Sequence, residues 1–221
     1  MRVSKTRQRP VVSVGSFCLA SAAIESAGVS QPSYPFDDIF SSMAIVIQCL
    51  EDDFTVFLDQ KDYIALEQAE NWVQRVYRES FGQQITFAHH DMSLDTNMAS
   101  FRRKVDRFKA IRPEDNPLFV FIDYAVRMPR GDEFCRLRRS LTERFGECGL
   151  LVISFGSSEP DAPGWGHPGI LFRHRMLQAD SRVDGVRFTD AEDNEAVSAL
   201  IMEAMEATKS LRPTILRAGV S

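Results

Sequence analysis

The run Leu-Phe-Val-Phe-Ile at residues 118–122 constrains the fold most. Five consecutive apolar side chains leave no polar face, so a strand made from them is buried on both sides, as in a parallel sheet covered by helices. Pro113 and Pro117 precede the run and Asp123 ends it. A second run of this kind occupies residues 149–155, a shorter one holds Val11, Val12 and Val14, and residues 170–177 read as a late strand. Segments with helical spacing lie between them: 18–28, a helix from Asp37 or Asp38 to Leu50, 63–77, 95–110, 132–145 and 189–210. Residues 53–58 read as a short strand or a turn, and Ile85, Phe87 and Ala88 as a short strand. Strands alternating with helices predict an α/β fold, one layered domain over residues 11–221 with a mostly parallel sheet flanked by helices. Residues 1–10, MRVSKTRQRP, read as a basic flexible tail and not as a secretory leader.

The chain is long enough, at 221 residues, to bury a sizeable core, and 44% hydrophobic with 26% charged residues is a globular composition. A net charge of −5 gives no electrostatic reason to expect nucleic acid as a partner. No apolar run reaches the length of a membrane span. Cys18, Cys49, Cys135 and Cys148 show neither a CxxC pair nor zinc-like spacing, so they read as free thiols in a reducing, cytoplasmic setting, with no metal and no cofactor expected.

In an open parallel sheet, ligands sit beyond the carboxyl ends of the strands. That rule gathers Cys18 after the first strand, His89, His90 and Asp91 after Phe87, Asp123 after Ile122, and the Gly/Pro-rich loop 156–169 with His167. Cys18 opens a helix behind the turn Gly15-Ser16-Phe17, where the positive helix end favours thiolate over thiol. The expected chemistry is nucleophilic catalysis: a histidine, His90 first and His167 second, takes the thiol proton, and a carboxylate orients the imidazole. Backbone N–H groups of the Gly15-Ser16-Phe17 turn and of the helix start are candidate oxyanion donors. In the alternative reading Cys18 only packs. The protein then binds or transfers a phosphorylated or sugar-linked substrate, with Arg102 and Arg103 on the basic helix FRRKVDRFK as anion ligands. On that helix Phe101, Val105 and Phe108 are expected inward, and Arg102, Arg103, Lys104 and Arg107 outward. A third reading is a non-catalytic interaction domain. His174 is expected at an exposed strand position, and metal binding by His89, His90 and Asp91 is disfavoured because neighbouring side chains on a strand diverge.

The elements Val14-Gly15-Ser16-Phe17-Cys18 and Ser33-Tyr34-Pro35-Phe36-Asp37 resemble the opening of a bacterial family described as proposed papain-like cysteine peptidases, a domain family of unknown function. His90-Asp91 after a short strand, and the arginine-rich helix followed by residues 118–122, are also similar to it. The resemblance covers about residues 10–155 and departs at Asp38, where the family usually has tryptophan. It implies Cys18 as nucleophile, His90 as base, Asp37, Asp91 or Asp123 as third member, a peptide or small acyl substrate, and a papain-like α+β fold as the alternative architecture.

Overall fold

A computed structural model describes residues 8–67, 70–128, 132–157 and 169–209. Four strands form one parallel sheet: β1 (Val11–Ser13), β4 (Leu118–Tyr124), β5 (Gly149–Gly156) and β6 (Ile170–Met176), in the order β1-β4-β5-β6. Val11 pairs with Leu118, Leu118 with Gly149, and Leu150 with Ile170. Six residues of β4 and seven of β5 are buried, as continuous apolar runs demand. The helices are α1 (Leu19–Ser26), α2 (Met43–Glu51), α3 (Arg75–Phe81), α4 (Asp95–Lys109), α5 (Glu133–Phe145) and α6 (Ala191–Ala207), and a small antiparallel pair comprises β2 (Tyr63–Ala65) and β3 (Trp72–Gln74).

The alternation of side chains along the strands divides the core into two. Val11, Val120, Ile122, Leu151 and Ile153 pack under α1 and α6, with Leu19, Ile24, Val197 and Ile201. Val12, Val14, Phe119, Phe121 and Val152 face α2, α4 and α5 and join a cluster of aromatic rings that includes Phe36, Phe57, Phe101 and Phe108. Among the described residues no helix is long and apolar enough to cross a membrane.

Three predicted elements differ. Residues 63–77 form no single helix: Tyr63–Ala65 and Trp72–Gln74 pair as strands, and only then does α3 begin, with the Gln74 side chain accepting from the N–H groups of Val76 and Tyr77. Gly82 ends α3 at φ 68°, as expected of a glycine stop. The helix predicted from Asp37 or Asp38 starts at Met43, capped by Ser42, whose Oγ accepts from Ile45 N–H. Asp37 instead takes the N–H of Tyr34 on its Oδ2 at 2.7 Å and closes the turn before that helix. The short strand around Phe87 lies outside the parallel sheet and makes isolated antiparallel bridges to Ile39 and Trp72.

Candidate active site

Cys18 lies just beyond the carboxyl end of β1 and is the N-cap residue of α1. Three bonds fix the preceding turn: Val14 N–H donates to Val120 O at 2.9 Å, Ser16 N–H to Ile122 O at 3.1 Å, and Ser41 N–H to Ser16 O at 2.7 Å. Gly15 has φ 119°, and a Cβ there would stand 2.5 Å from Ser41 Oγ and 3.3 Å from the Phe121 ring. Ser16 is buried, and Phe17, also buried, stacks on Tyr124 with ring centroids 6.1 Å apart. With the Ser16 N–H spent on β4, oxyanion donors in this turn are confined to its end and to the start of α1.

Ser21, one turn into α1, ties the nucleophile candidate to the acidic turn. Its hydroxyl reaches both Cys18 O at 2.9 Å and Asp37 O at 3.0 Å. Asp37 and Asp38 thus stand against the helix start, and Cys18, Ser21, Asp37 and Asp38 line one cavity of about 540 Å³.

His90 arrives from a different part of the chain. The Ile39–Phe87 bridge and the bond from Phe40 N–H to Thr86 O at 2.9 Å lay the segment before His90 against the segment after Asp38. The bridge is antiparallel, so the chain leaving Phe87 toward His90 runs beside Asp38. His90 is half-buried, its ring edge-on to Phe101 at 5.2 Å. Phe101 also carries the ammonium of Lys104, 4.6 Å from its centroid, and Lys104 forms an ion pair with Asp38.

This arrangement sets the charges. Burial pushes the Cys18 thiol up, Asp38 and Asp37 add to the rise, and Lys104 and the residue's own backbone N–H oppose it. The helix start therefore does not produce the expected thiolate, because burial and two neighbouring carboxylates outweigh it. Burial lowers the basicity of His90, Lys104 lowers it further, and Asp38 partly restores it. Burial lifts the Asp37 carboxyl to about 6, against the Tyr34 N–H that favours its ionised form. A neutral thiol and a neutral imidazole follow near neutral pH, both under the influence of one Lys104–Asp38 pair.

The remaining predicted site residues occupy separate places. Asp91 Oδ1 accepts from Ser93 N–H at 2.9 Å and from the Ser93 hydroxyl at 2.6 Å, which shapes the turn into α4. Asp123 is buried at the end of β4 on the face of Phe121. Its Oδ1 accepts from Tyr124 N–H at 2.7 Å and lies 3.9 Å from Arg127, and it lines a second cavity with Ser42, Phe81 and Arg127. Burial raises its carboxyl as well, and the Ser16 hydroxyl opposes that rise. His89 is exposed, in the left-handed region at φ 64°. Arg102 and Arg103 are exposed on the outer side of α4. His167 falls outside the described residues. His174 is half-buried, with Nδ1 2.8 Å from Ser154 Oγ, and is not the exposed position expected. All four cysteines are free, and Cys49 Sγ lies 3.1 Å from the Tyr77 hydroxyl.

Two residues of the cluster were missed by sequence reasoning. Lys104 was expected outward, but it is only 7% exposed and lies on the inner side of α4. The signal was its place three residues after Phe101 and four before Phe108, on the buried stripe itself. Asp38 enters the sequence reading as one of two starts for the helix ending at Leu50, and its value as a charge partner depends on a lysine distant in sequence.

No curated protein and no solved structure matches the chain. Residues 9–144 match the family described as "Putative papain-like cysteine peptidase (DUF1796)", a match that spans more than half of the chain and contains every member of the Cys18, Asp37, Asp38, His90 and Lys104 cluster, and the chain belongs to that family.

Proposed function

We propose that the protein is a cysteine-dependent hydrolase or acyltransferase acting on a peptide, amide or ester bond, with Cys18 as nucleophile, His90 as base and Asp38 as the carboxylate that orients and supports the imidazole. The observation that carries this reading is the shared environment of Cys18 and His90. One ion pair links the two side chains, seventy-two positions apart in the sequence: Asp38 lines the cavity onto which Cys18 opens, and its partner Lys104 rests on the Phe101 ring that His90 meets edge-on.

The chemistry starts from the neutral pair. Sγ attacks the substrate carbonyl carbon as its proton passes to His90, so no free thiolate need accumulate in the resting enzyme. The carbonyl oxygen becomes an oxyanion beside the N–H groups at the start of α1. Collapse breaks the bond to the amine or alcohol, which leaves with the proton from His90. Water, or a second acceptor, then gives its proton to His90 and attacks the thioester, and Cys18 is released as a thiol. Asp38 favours the imidazolium formed at each attack, and Lys104 holds Asp38 in place.

The test is transfer of one acetyl group from p-nitrophenyl acetate to Cys18, followed by intact mass and peptide mapping. The wild-type protein is expected to acetylate at Cys18 and to turn over, Cys18→Ala to lose the adduct, and His90→Ala to slow its formation by about a hundredfold. A folded wild-type protein that takes up no acetyl group at Cys18 would sink the proposal.

A further inference from the structure

The cavity beside Cys18 has a definite charge. Its charged lining residues are Glu25, Asp37 and Asp38, all acidic. Asp38 is matched by Lys104, whereas Glu25 and Asp37 have no ion-pair partner among the described residues. Glu25 lies on α1 two turns beyond Cys18, and Asp37 stands against the first turn of that helix through Ser21, so the two carboxylates approach the cavity from different segments.

A second, independent feature is Ser13. It is the last residue of β1 and lines the same cavity at 1% exposure, and its Oγ has no hydrogen-bond partner among the described residues. A buried hydroxyl left unpaired keeps the desolvation penalty of folding without recovering a hydrogen bond, and native structures rarely leave such a group without a partner. A hydroxyl oxygen can accept from an N–H donor, and carboxylates accept only. The group that satisfies all three residues is a positively charged N–H donor.

We infer that this cavity receives a cationic group of the substrate, a primary ammonium or a guanidinium, with Glu25 and Asp37 providing the opposing charge and the Ser13 hydroxyl a hydrogen bond. The inference deepens the proposed function and rests on it for the identity of the bound molecule as substrate. It selects, among acyl compounds, those that carry a basic side chain or free amine near the bond attacked by Cys18.

The experiment is protection of Cys18 in the full chain from the neutral reagent methyl methanethiosulfonate, with modification at Cys18 read by peptide mass spectrometry. The protecting probes are Nα-acetyl-lysine methylamide and Nα-acetyl-norleucine methylamide, which differ in the ammonium group. The lysine compound is expected to protect saturably, at a concentration at least about tenfold below that of the norleucine compound, the ratio of one charge-assisted hydrogen bond. Ser13→Ala and Glu25→Gln are each expected to weaken the lysine compound by about threefold or more; Glu25 is exposed on α1, so its substitution keeps the fold. Equal protection by the two compounds, no protection by either, or a preference that neither substitution changes overturns the inference. Acetylation of Cys18 by p-nitrophenyl acetate is a separate readout. A lysine preference without acetylation removes the hydrolase reading and leaves the cation site, and acetylation without a lysine preference removes the cation site alone.

Discussion

Lys104 on α4 and Asp38 in the turn before α2 form an ion pair across sixty-six positions of sequence. Its two members are unequally buried, with 9% of the Lys104 side chain exposed against 44% of Asp38. The ammonium also rests on the Phe101 ring, which His90 meets edge-on. The pair therefore fixes more than its own two side chains: it spaces the histidine segment from the turn that borders Cys18. Both Cys18 and His90 titrate under its field, with the lysine lowering each and Asp38 raising each.

Replacing Lys104 with Met removes the cation and keeps the bulk. Asp38 is exposed enough to rehydrate, so the stability loss is small, about 1 kcal/mol from the lost ion pair and ring contact. The effect on the site is larger. Without the ammonium, the thiol of Cys18 and the imidazole of His90 both shift upward, and at pH 8 iodoacetamide is expected to alkylate Cys18 about three- to tenfold more slowly than in wild type. An unchanged alkylation profile would place Lys104 outside the field of the thiol.

Asp38→Asn tests the opposite charge and separates reactivity from turnover. Loss of the carboxylate lowers the thiol and the imidazole together, so alkylation of Cys18 below its pKa is expected to speed up by about threefold. Acetyl transfer from p-nitrophenyl acetate is expected to fall by at least about tenfold, because the imidazolium loses its support. The asparagine oxygen can still accept from Lys104, which limits the stability loss to about 1 to 2 kcal/mol. If acetyl transfer rises in step with alkylation, Asp38 only tunes the thiol and does not position His90.

The sheet was legible because β4 and β5 are continuous apolar runs, a pattern that few other structures tolerate, and α4 and α5 were legible because their buried residues repeat at helical spacing. Cys18 could be placed at a helix start from the local pattern Gly15-Ser16-Phe17-Cys18 alone. What the sequence hid depends on distant contacts. Trp72 and Val73 carry side chains that suit a helix stripe, yet they sit in a strand because Trp72 and Phe87 exchange backbone hydrogen bonds. Asp37 is as good a helix cap as Ser42 by residue type, but its carboxylate is taken by Tyr34 N–H. Lys104 was hidden by its neighbours: in the run of three basic residues Arg102-Arg103-Lys104, only the helical phase set by Phe101, Val105 and Phe108 shows which one turns inward.

Gly15→Ala is expected to destabilise the fold by about 2 to 4 kcal/mol, measured by urea denaturation. The backbone there has φ 119°, which a residue with a Cβ rarely adopts, and the new methyl would press on Ser41 Oγ at 2.5 Å and on the Phe121 ring. Neither neighbour has free space, since Ser41 and Phe121 are buried. Because Ser41 N–H holds Ser16 O, displacement of Ser41 moves the turn that carries Cys18, and alkylation of Cys18 should change in the same variant. A variant as stable as wild type would mean that the turn relaxes without strain.

Asp37 gives the pH dependence a defined sign. Burial lifts its carboxyl from 3.8 to about 6 in the folded protein; Asp38 adds to the rise, and the Tyr34 N–H, Lys104 and Ser33 oppose it. A carboxyl raised on folding favours the native state while protonated: the contribution is fully present below about pH 4 and is lost as pH rises through about 6. At pH 7 the buried charge therefore costs stability, and a shift of about two units corresponds to about 2 to 3 kcal/mol. Asp37→Asn keeps an oxygen for Tyr34 N–H and removes the charge, so it is expected to match wild type near pH 4 and to exceed it by that amount at pH 7. Urea denaturation of both proteins from pH 4 to pH 8 measures the difference. The same substitution lowers the Cys18 thiol, since Asp37 is one of the two carboxylates that raise it. A stability difference that stays flat across this range would mean that Asp37 is already ionised at pH 4, with no excess of buried charge at the mouth of the cavity.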